Sequence, residues 1–187
     1  VDEIELLLTA EEAVLARSGY AGLRVDDVLD EAGLSPGALY RHFSGKDELL
    51  GTLFDEAVSA LLVRVGDREF DDPWEELAFL AKAHAEFVYE HQELASILIR
   101  DDRSLAEPFQ RRHHRRMRPY IERWINVLGR CFPDRSEEER TSATFAILQM
   151  LNSIGTWPRG ARRTEGLPDL LADMAYGAAA ALGGSDR

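Results

Sequence analysis

The chain has 187 residues, of which 45% are hydrophobic and 30% charged, and carries a formal net charge of −12. That length can bury a sizeable core in one or two domains. No apolar run approaches the ~20 residues of a membrane span, the short Leu6–Leu8 run behind Asp2, Glu3 and Glu5 does not read as a signal peptide, and the lone Cys131 excludes an internal disulfide and fits a reducing cytoplasm.

Ile4, Leu7, Leu8, Val14 and Leu15 recur at helical spacing, so residues 1–18 predict a helix that Gly19 ends. A second, short helix has Val25, Val28, Leu29 and Ala32 on its apolar side and stops at Gly33. Ser35-Pro36 restarts the chain, with serine as cap and proline at the first helical position, where no N–H is needed. Two helices joined by so tight a turn cross at a large angle, which is the helix-turn-helix arrangement. In the second of them, residues 36–43, Leu39 and Phe43 share a face and anchor it. Gly37, Ala38, Tyr40, Arg41 and His42 are left for the other sides. Ser44 with Asp47 forms a capping-box-like start to the next helix. Lys46 sits in its first turn, where a DNA phosphate would offset the unfavourable dipole.

That helix carries a broad apolar face from Leu49 to Val65 and is long enough to link a head to the rest. Asp72-Pro73 with Glu75 and Glu76 opens another, to about His91. A helical piece at Glu93–Ile99 breaks in the polar run Arg100–Ser104. A long helix, about Pro108–Cys131, turns Met117, Tyr120, Ile121, Trp124, Ile125 and Leu128 inward. Ser136 and Glu139 make a capping box for a helix to about Thr156. A loop follows from Trp157 to Gly166, and the last helix covers about Pro168–Leu182. No stretch alternates like a strand and none repeats, so the fold expected is all-α. No histidine or cysteine set has metal-ligand spacing, and no glycine-rich phosphate loop follows a strand. Neither enzymatic activity nor a cofactor or metal is expected.

Gly19-Tyr20, Val25-x-Asp27-Val28 and Ala32-Gly33-Leu34-Ser35-x-Gly37-x-Leu39-Tyr40-x-His42-Phe43-x-x-Lys46-x-x-Leu49-Leu50 together resemble the N-terminal domain of tetracycline-repressor-type (TetR-type) transcriptional regulators. The resemblance covers roughly the first quarter of the chain. It departs from the family where threonine is usual, near Leu23 or Arg24 and at Ala38, and where alanine is usual, at Leu29. It implies a helix-turn-helix DNA-binding head, residues 1–48, on a helical effector-binding and dimerisation domain, residues 49–187. It also implies roles. Arg24, Ser35, Tyr40, His42 and Lys46 would hold phosphates, while Pro36, Gly37 and Arg41 would face base edges of a palindromic double-stranded operator. Against this stands the charge, since acidic residues outnumber basic ones by eleven to four over residues 1–50. A helical ligand-binding or interaction protein that kept the fold and lost DNA binding is the competing reading.

Three features of the second half carry further expectations. The run Arg111–Arg118 is the densest positive charge, and reads either as a face neutralised by the abundant acids or as a phosphate site, including one for an acyl-coenzyme A. His84 lies on an apolar helix side, and Gln149, Asn152 and Thr156 form a polar stripe on another, so each needs a partner in a ligand, a water, the protein or a second subunit. With Phe87, Phe109, Met117, Tyr120, Trp124 and Phe145, these residues are the candidate lining for a small apolar effector. Finally, Ile147, Met150, Leu151, Ile154, Leu171, Met174 and Ala178 make the last two long helices unusually apolar. By the family resemblance they would form a two-fold four-helix interface in a homodimer; a core within one protomer is the plainer alternative.

Overall fold

The computed structural model describes residues 2–92, 94–95 and 106–184, without the side chains of Tyr20 and Arg159. All regular structure among them is helical: α1 (Glu3–Gly22), α2 (Val25–Ala32), α3 (Pro36–His42), α4 (Lys46–Val65), α5 (Pro73–Glu90), α6 (Glu107–Cys131), α7 (Glu137–Asn152), the short α8 (Arg159–Arg162) and α9 (Leu167–Ala180). Single 3₁₀ turns follow α7 and α9. α1 bends at Gly19, whose φ of 65° is open to glycine at no steric cost. The piece expected at Glu93–Ile99 and the break after it fall outside the described residues, apart from helical, buried Leu94 and Ala95.

Local signals set most of these ends. Asp72 accepts the Trp74 N–H at 2.8 Å with Pro73 behind it, and Ser136 and Glu139 form the reciprocal capping box. Two starts differ from expectation. Ser35 stands at the cap of α3, but its hydroxyl makes no capping bond. α4 is capped at Gly45 rather than Ser44, and Glu48 reaches back, accepting the Ser44 N–H at 2.8 Å. The loop expected after Trp157 contains α8.

Two apolar clusters divide the molecule. The head cluster gathers Leu7, Leu8, Val14 and Leu15 of α1 with Val28, Leu39, Phe43, Leu49, Leu50 and Phe54. Burial of a leucine contributes about 2 kcal/mol, and Leu39 thereby seats the seven-residue α3, too short to persist alone, against Leu49 and Leu50 of α4 in the same cluster. The body cluster packs Leu77, Leu80 and Val88 of α5 against Trp124 and Leu128 of α6, Leu151 of α7 and Leu171 and Ala175 of α9. α4 serves both: residues through Ala57 belong to the head cluster, and Leu61 and Val65 to the body cluster.

The joint between the clusters is built from α4 and α6. Phe109 lies so close over Gly51 that any Cβ there would collide with its ring. Asp55 takes the guanidinium groups of Arg112 and Arg116, the latter also donating to the Asp55 carbonyl at 2.9 Å and to Ser59 Oγ at 2.7 Å. At the other side of the body, buried Glu76 accepts from Arg123 and Arg130, both at 2.7 Å. The same two arginines donate to the carbonyls of Gly66, Arg68 and Phe70, so the α4–α5 connection is tied to α6. No described helix is long and apolar enough to cross a membrane, and no cluster of three metal-ligating side chains occurs among the described residues.

Candidate nucleic-acid interface

The turn between α2 and α3 is closed by backbone geometry. Gly33, at φ 67° and ψ 30°, donates to Asp30 O at 3.2 Å, while Leu34 N–H reaches Leu29 O at 3.0 Å. This paired pattern satisfies the last carbonyls of α2 and needs a left-handed residue at its corner. α3 then leaves at a new angle with Pro36 in its first turn.

Leu39 and Phe43 pin α3 to the head as expected, and so does Ala38, which is 1% exposed rather than outward. A small residue there lets α3 lie close on the core. The opposite side is polar and open. Ser35, Pro36 and Gly37 are exposed at its N-terminal end, and the Tyr40 ring is 64% exposed. Arg24 is exposed at the cap of α2, and Lys46 is half-buried at the first position of α4. Arg41 and His42 also lie on the exposed side, but they are held. Arg41 Nη2 donates to both oxygens of the Glu3 carboxylate, at 2.7 and 3.0 Å, and His42 Nε2 lies 2.9 Å from Glu3 Oε2. Nothing in the local sequence of α3 signals Glu3, which lies 38 residues away from Arg41.

The comparisons with known proteins decide what this head belongs to. The family model for bacterial regulatory proteins of the tetR family matches residues 7–53, and the model for the tetracyclin repressor-like C-terminal domain matches residues 71–179. The chain belongs to the TetR family. Among curated relatives it is 33% identical over 106 residues to the HTH-type transcriptional activator FasR of Mycolicibacterium smegmatis, covering 56% of this chain and 48% of that one. It is 28% identical over 127 residues to the HTH-type transcriptional repressor KstR2 of Mycobacterium tuberculosis, covering 66% and 63%. The match thus spans about half to under two thirds of those relatives' lengths. A tetR-family regulatory protein from Rhodococcus RHA1 has the same fold at a TM-score of 0.83 and 19% identity, over 100% of both chains. AibR, solved in complex with isovaleryl coenzyme A and operator DNA, superimposes at 0.77 and 17% identity, over 94% of this chain and 97% of its own.

In the body of this TetR-family chain, two of the polar residues that suggested a pocket, His84 and Asn152, satisfy each other with Tyr120, while Thr156 is exposed and donates to the Ser153 carbonyl at 2.7 Å. His84 Nδ1 lies 3.0 Å from the Tyr120 hydroxyl and Nε2 3.3 Å from Asn152 Oδ1. Because the amide oxygen only accepts, Nε2 donates, and Nδ1 then accepts the Tyr120 O–H. Burial pushes the His84 imidazole down to about 4 and the Tyr120 phenol well above its ordinary range, so both are neutral near pH 7. The two rings stack at 5.8 Å, and Trp124 meets Tyr120 edge-on at 6.5 Å. Phe87 and Met117 border this group, half-buried. The other candidate lining residues lie elsewhere: Phe109 sits over Gly51 in the joint, while Phe145 and Gln149 point outward, Phe145 at 47% exposure. A helix apolar on two sides does not disclose which side its polar residues interrupt.

The same ambiguity affects the expected dimer set. Ile147, Leu151, Ile154 and Leu171 are 0–3% exposed within the protomer's own core and cannot be presented to a partner. The outward apolar side of α7 and α9 comprises Phe145, Leu170, Met174 and Ala178, with Met150 half-buried beside them.

The basic run is exposed at Arg111, His114, Arg115 and Arg118, and acidic residues pair with four of its arginines. Arg111 pairs with Glu107 and Arg118 with Glu122, each at 2.7 Å, and Arg112 and Arg116 close on Asp55. His113 turns inward against Phe54, 5.7 Å away, and burial pushes its imidazole down to about 4.

Proposed function

We propose that this chain is a ligand-responsive DNA-binding regulator that works in the cytoplasm as a homodimer on a palindromic operator. In this reading residues 1–48 read DNA, and residues 49–187 dimerise and bind the effector. One observation carries it: a recognition-type helix pinned by Ala38, Leu39 and Phe43 turns Ser35, Pro36, Gly37, Tyr40, Arg41 and His42 to solvent. Small residues at the N-terminal end of such a helix allow close approach to a major groove, and Arg41 can address guanine there. Ser35, Tyr40, His42, Arg24 and Lys46 hold phosphates.

A second copy is needed because half-sites lie one DNA turn apart, roughly 34–36 Å. The exposed Phe145, Leu170 and Met174, the last two at 49% exposure, supply an apolar surface on which it docks. The regulator is a repressor released by an apolar effector received beside Phe87, Met117 and Trp124. AibR was solved with isovaleryl coenzyme A, whose acyl group is apolar, and that supports an effector with an apolar part. The ion pairs of Arg112 and Arg116 with Asp55 leave those arginines poorly placed to hold its phosphates. The effector must bind the DNA-incompetent spacing of the heads more tightly, since equal affinity for both states shifts nothing. No reaction is assigned to it.

Selection of duplexes from a randomised pool, followed by titration at two salt concentrations, tests this. Tyr40→Ala and Lys46→Ala are each expected to weaken the selected duplex about tenfold, the loss of one charge-assisted contact, and Lys46→Ala also flattens the salt dependence. A protein that retains no duplex, or whose binding ignores both changes, is instead a helical ligand-binding protein on a retained fold. The eleven acidic residues of the first fifty favour that outcome.

A further inference from the structure

We propose that Glu3 sets the DNA selectivity of this regulator by occupying Arg41 and His42 until a base edge displaces it. The inference rests on the reading that the polar side of α3 meets DNA. Glu3 is delivered by a rigid support, because Leu7 and Leu8 one turn further along α1 are buried in the head core. Its two oxygens and the side chains of Arg41 and His42 form one three-residue cluster on the open rim of the head. Hydrogen bonds from His42 and then Arg41 hold its carboxyl below the usual carboxylate range, so a full negative charge stands beside the recognition helix.

The consequence differs between two kinds of DNA. On arbitrary sequence Arg41 could only exchange the Glu3 carboxylate for a phosphate, one charge-assisted partner for another, with little net gain. Arg41 therefore stays on Glu3, and its positive charge is withheld from the backbone. A guanine offers a bidentate acceptor pair that favours arginine by roughly five- to 150-fold, whereas an exposed ion pair is seldom stronger than about fivefold. Only the correct base edge draws Arg41 away. The acidic head is then a means of suppressing non-specific binding, which derives almost wholly from phosphate contacts.

The test compares wild type, Glu3→Gln, Arg41→Ala and the double variant on two probes: a duplex selected from a randomised pool by the wild type, and a scrambled duplex of equal length. Glu3→Gln is expected to raise affinity for the scrambled duplex about tenfold and to steepen its salt slope by about 0.9, one additional phosphate. The selected duplex should gain about threefold or less, so the ratio between the probes falls about threefold. In the Arg41→Ala background the gain on scrambled DNA should shrink to that of removing one charge. Unchanged thermal midpoints exclude a folding effect. If Arg41→Ala weakens the selected duplex while Glu3→Gln lowers affinity or leaves both probes within twofold, Glu3 is a support or a bystander and the inference alone is overturned. If Arg41→Ala leaves the selected duplex unaffected, or the pool yields no duplex, the site reading fails and the inference fails with it.

Discussion

Replacing Glu11 by methionine should stabilise this protein by about 3–5 kcal/mol at pH 8, and most of the gain should be lost towards pH 4.5, where only the cost of a buried, unpaired neutral carboxyl remains. Glu11 is fully buried in α1, on the side that carries Leu7, Leu8, Val14 and Leu15 into the head core. Neither carboxylate oxygen has a hydrogen-bond partner among the described residues. Burial alone pushes the carboxyl up to about 8 from 4.5, because an unpaired charge is expensive in an apolar interior. Between those two values the folded state keeps a proton that the unfolded chain has released. Stability from this group is therefore complete below pH 4.5 and is lost as pH rises through 8, at about 1.4 kcal/mol per pH unit.

His84 and His113 act in the opposite sense. Each is pushed down to about 4 from 6.5, so the unfolded chain takes up protons that the folded one refuses, and stability falls as pH drops from 6.5 towards 4. With one proton favouring the folded state and two the unfolded state in the overlap, wild-type stability should peak near pH 6.5. Urea unfolding from pH 5 to 9 measures the curve. A Glu11→Met variant that runs parallel to wild type across that range would refute the account, and Glu11→Gln, which retains a buried polar group, should recover only part of the gain.

Glu76→Ala should cost about 3 kcal/mol, the low end for removing one partner of a buried ion pair, since Arg123 and Arg130 keep some contact with water. The damage should exceed the loss of two hydrogen bonds. Without the carboxylate, the guanidinium groups that hold the Gly66, Arg68 and Phe70 carbonyls lose their own anchor, and the α4–α5 connection loosens from α6. Leucine, which fills the site without a charge, should be no better as long as both arginines remain. Thermal unfolding of Glu76→Ala, Arg123→Ala and the pair provides the check: a double variant that costs the full sum of the singles would mean that the clamp does not act as a unit.

The parts of this molecule legible in its sequence are those fixed by neighbours. Gly33, Ser35-Pro36, Asp72-Pro73 and Ser136 with Glu139 act within four residues, and the helices begin or end at or beside them. The Gly45 cap shows the limit, because Ser44 and Gly45 both suit that place and only the reach of Glu48 chooses between them. The partners that decide the site are separated by long stretches of chain: Glu3 from Arg41, Asp55 from Arg112 and Arg116, His84 from Tyr120 and Asn152. A helical wheel does not contain such pairs. Nor does it rank two apolar sides of one helix, so Ile147 and Leu151 could not be separated from Phe145 and Met150 before the packing of α7 on α6, α9 and α5 was known.

The sharing of α4 by both clusters has a mechanical meaning. Twenty residues at 1.5 Å per residue make a rod of about 30 Å, embedded in the body at Leu61 and Val65 and rooted in the head at Leu49 and Leu50. A tilt of about 10° at the embedded end sweeps the far end through about 5 Å. In the homodimer proposed above, two such rods would change the spacing of the heads by about 10 Å, close to a third of the 34–36 Å interval between half-sites, while the same tilt moves Asp55, about eight residues from the embedded end, by only about 2 Å.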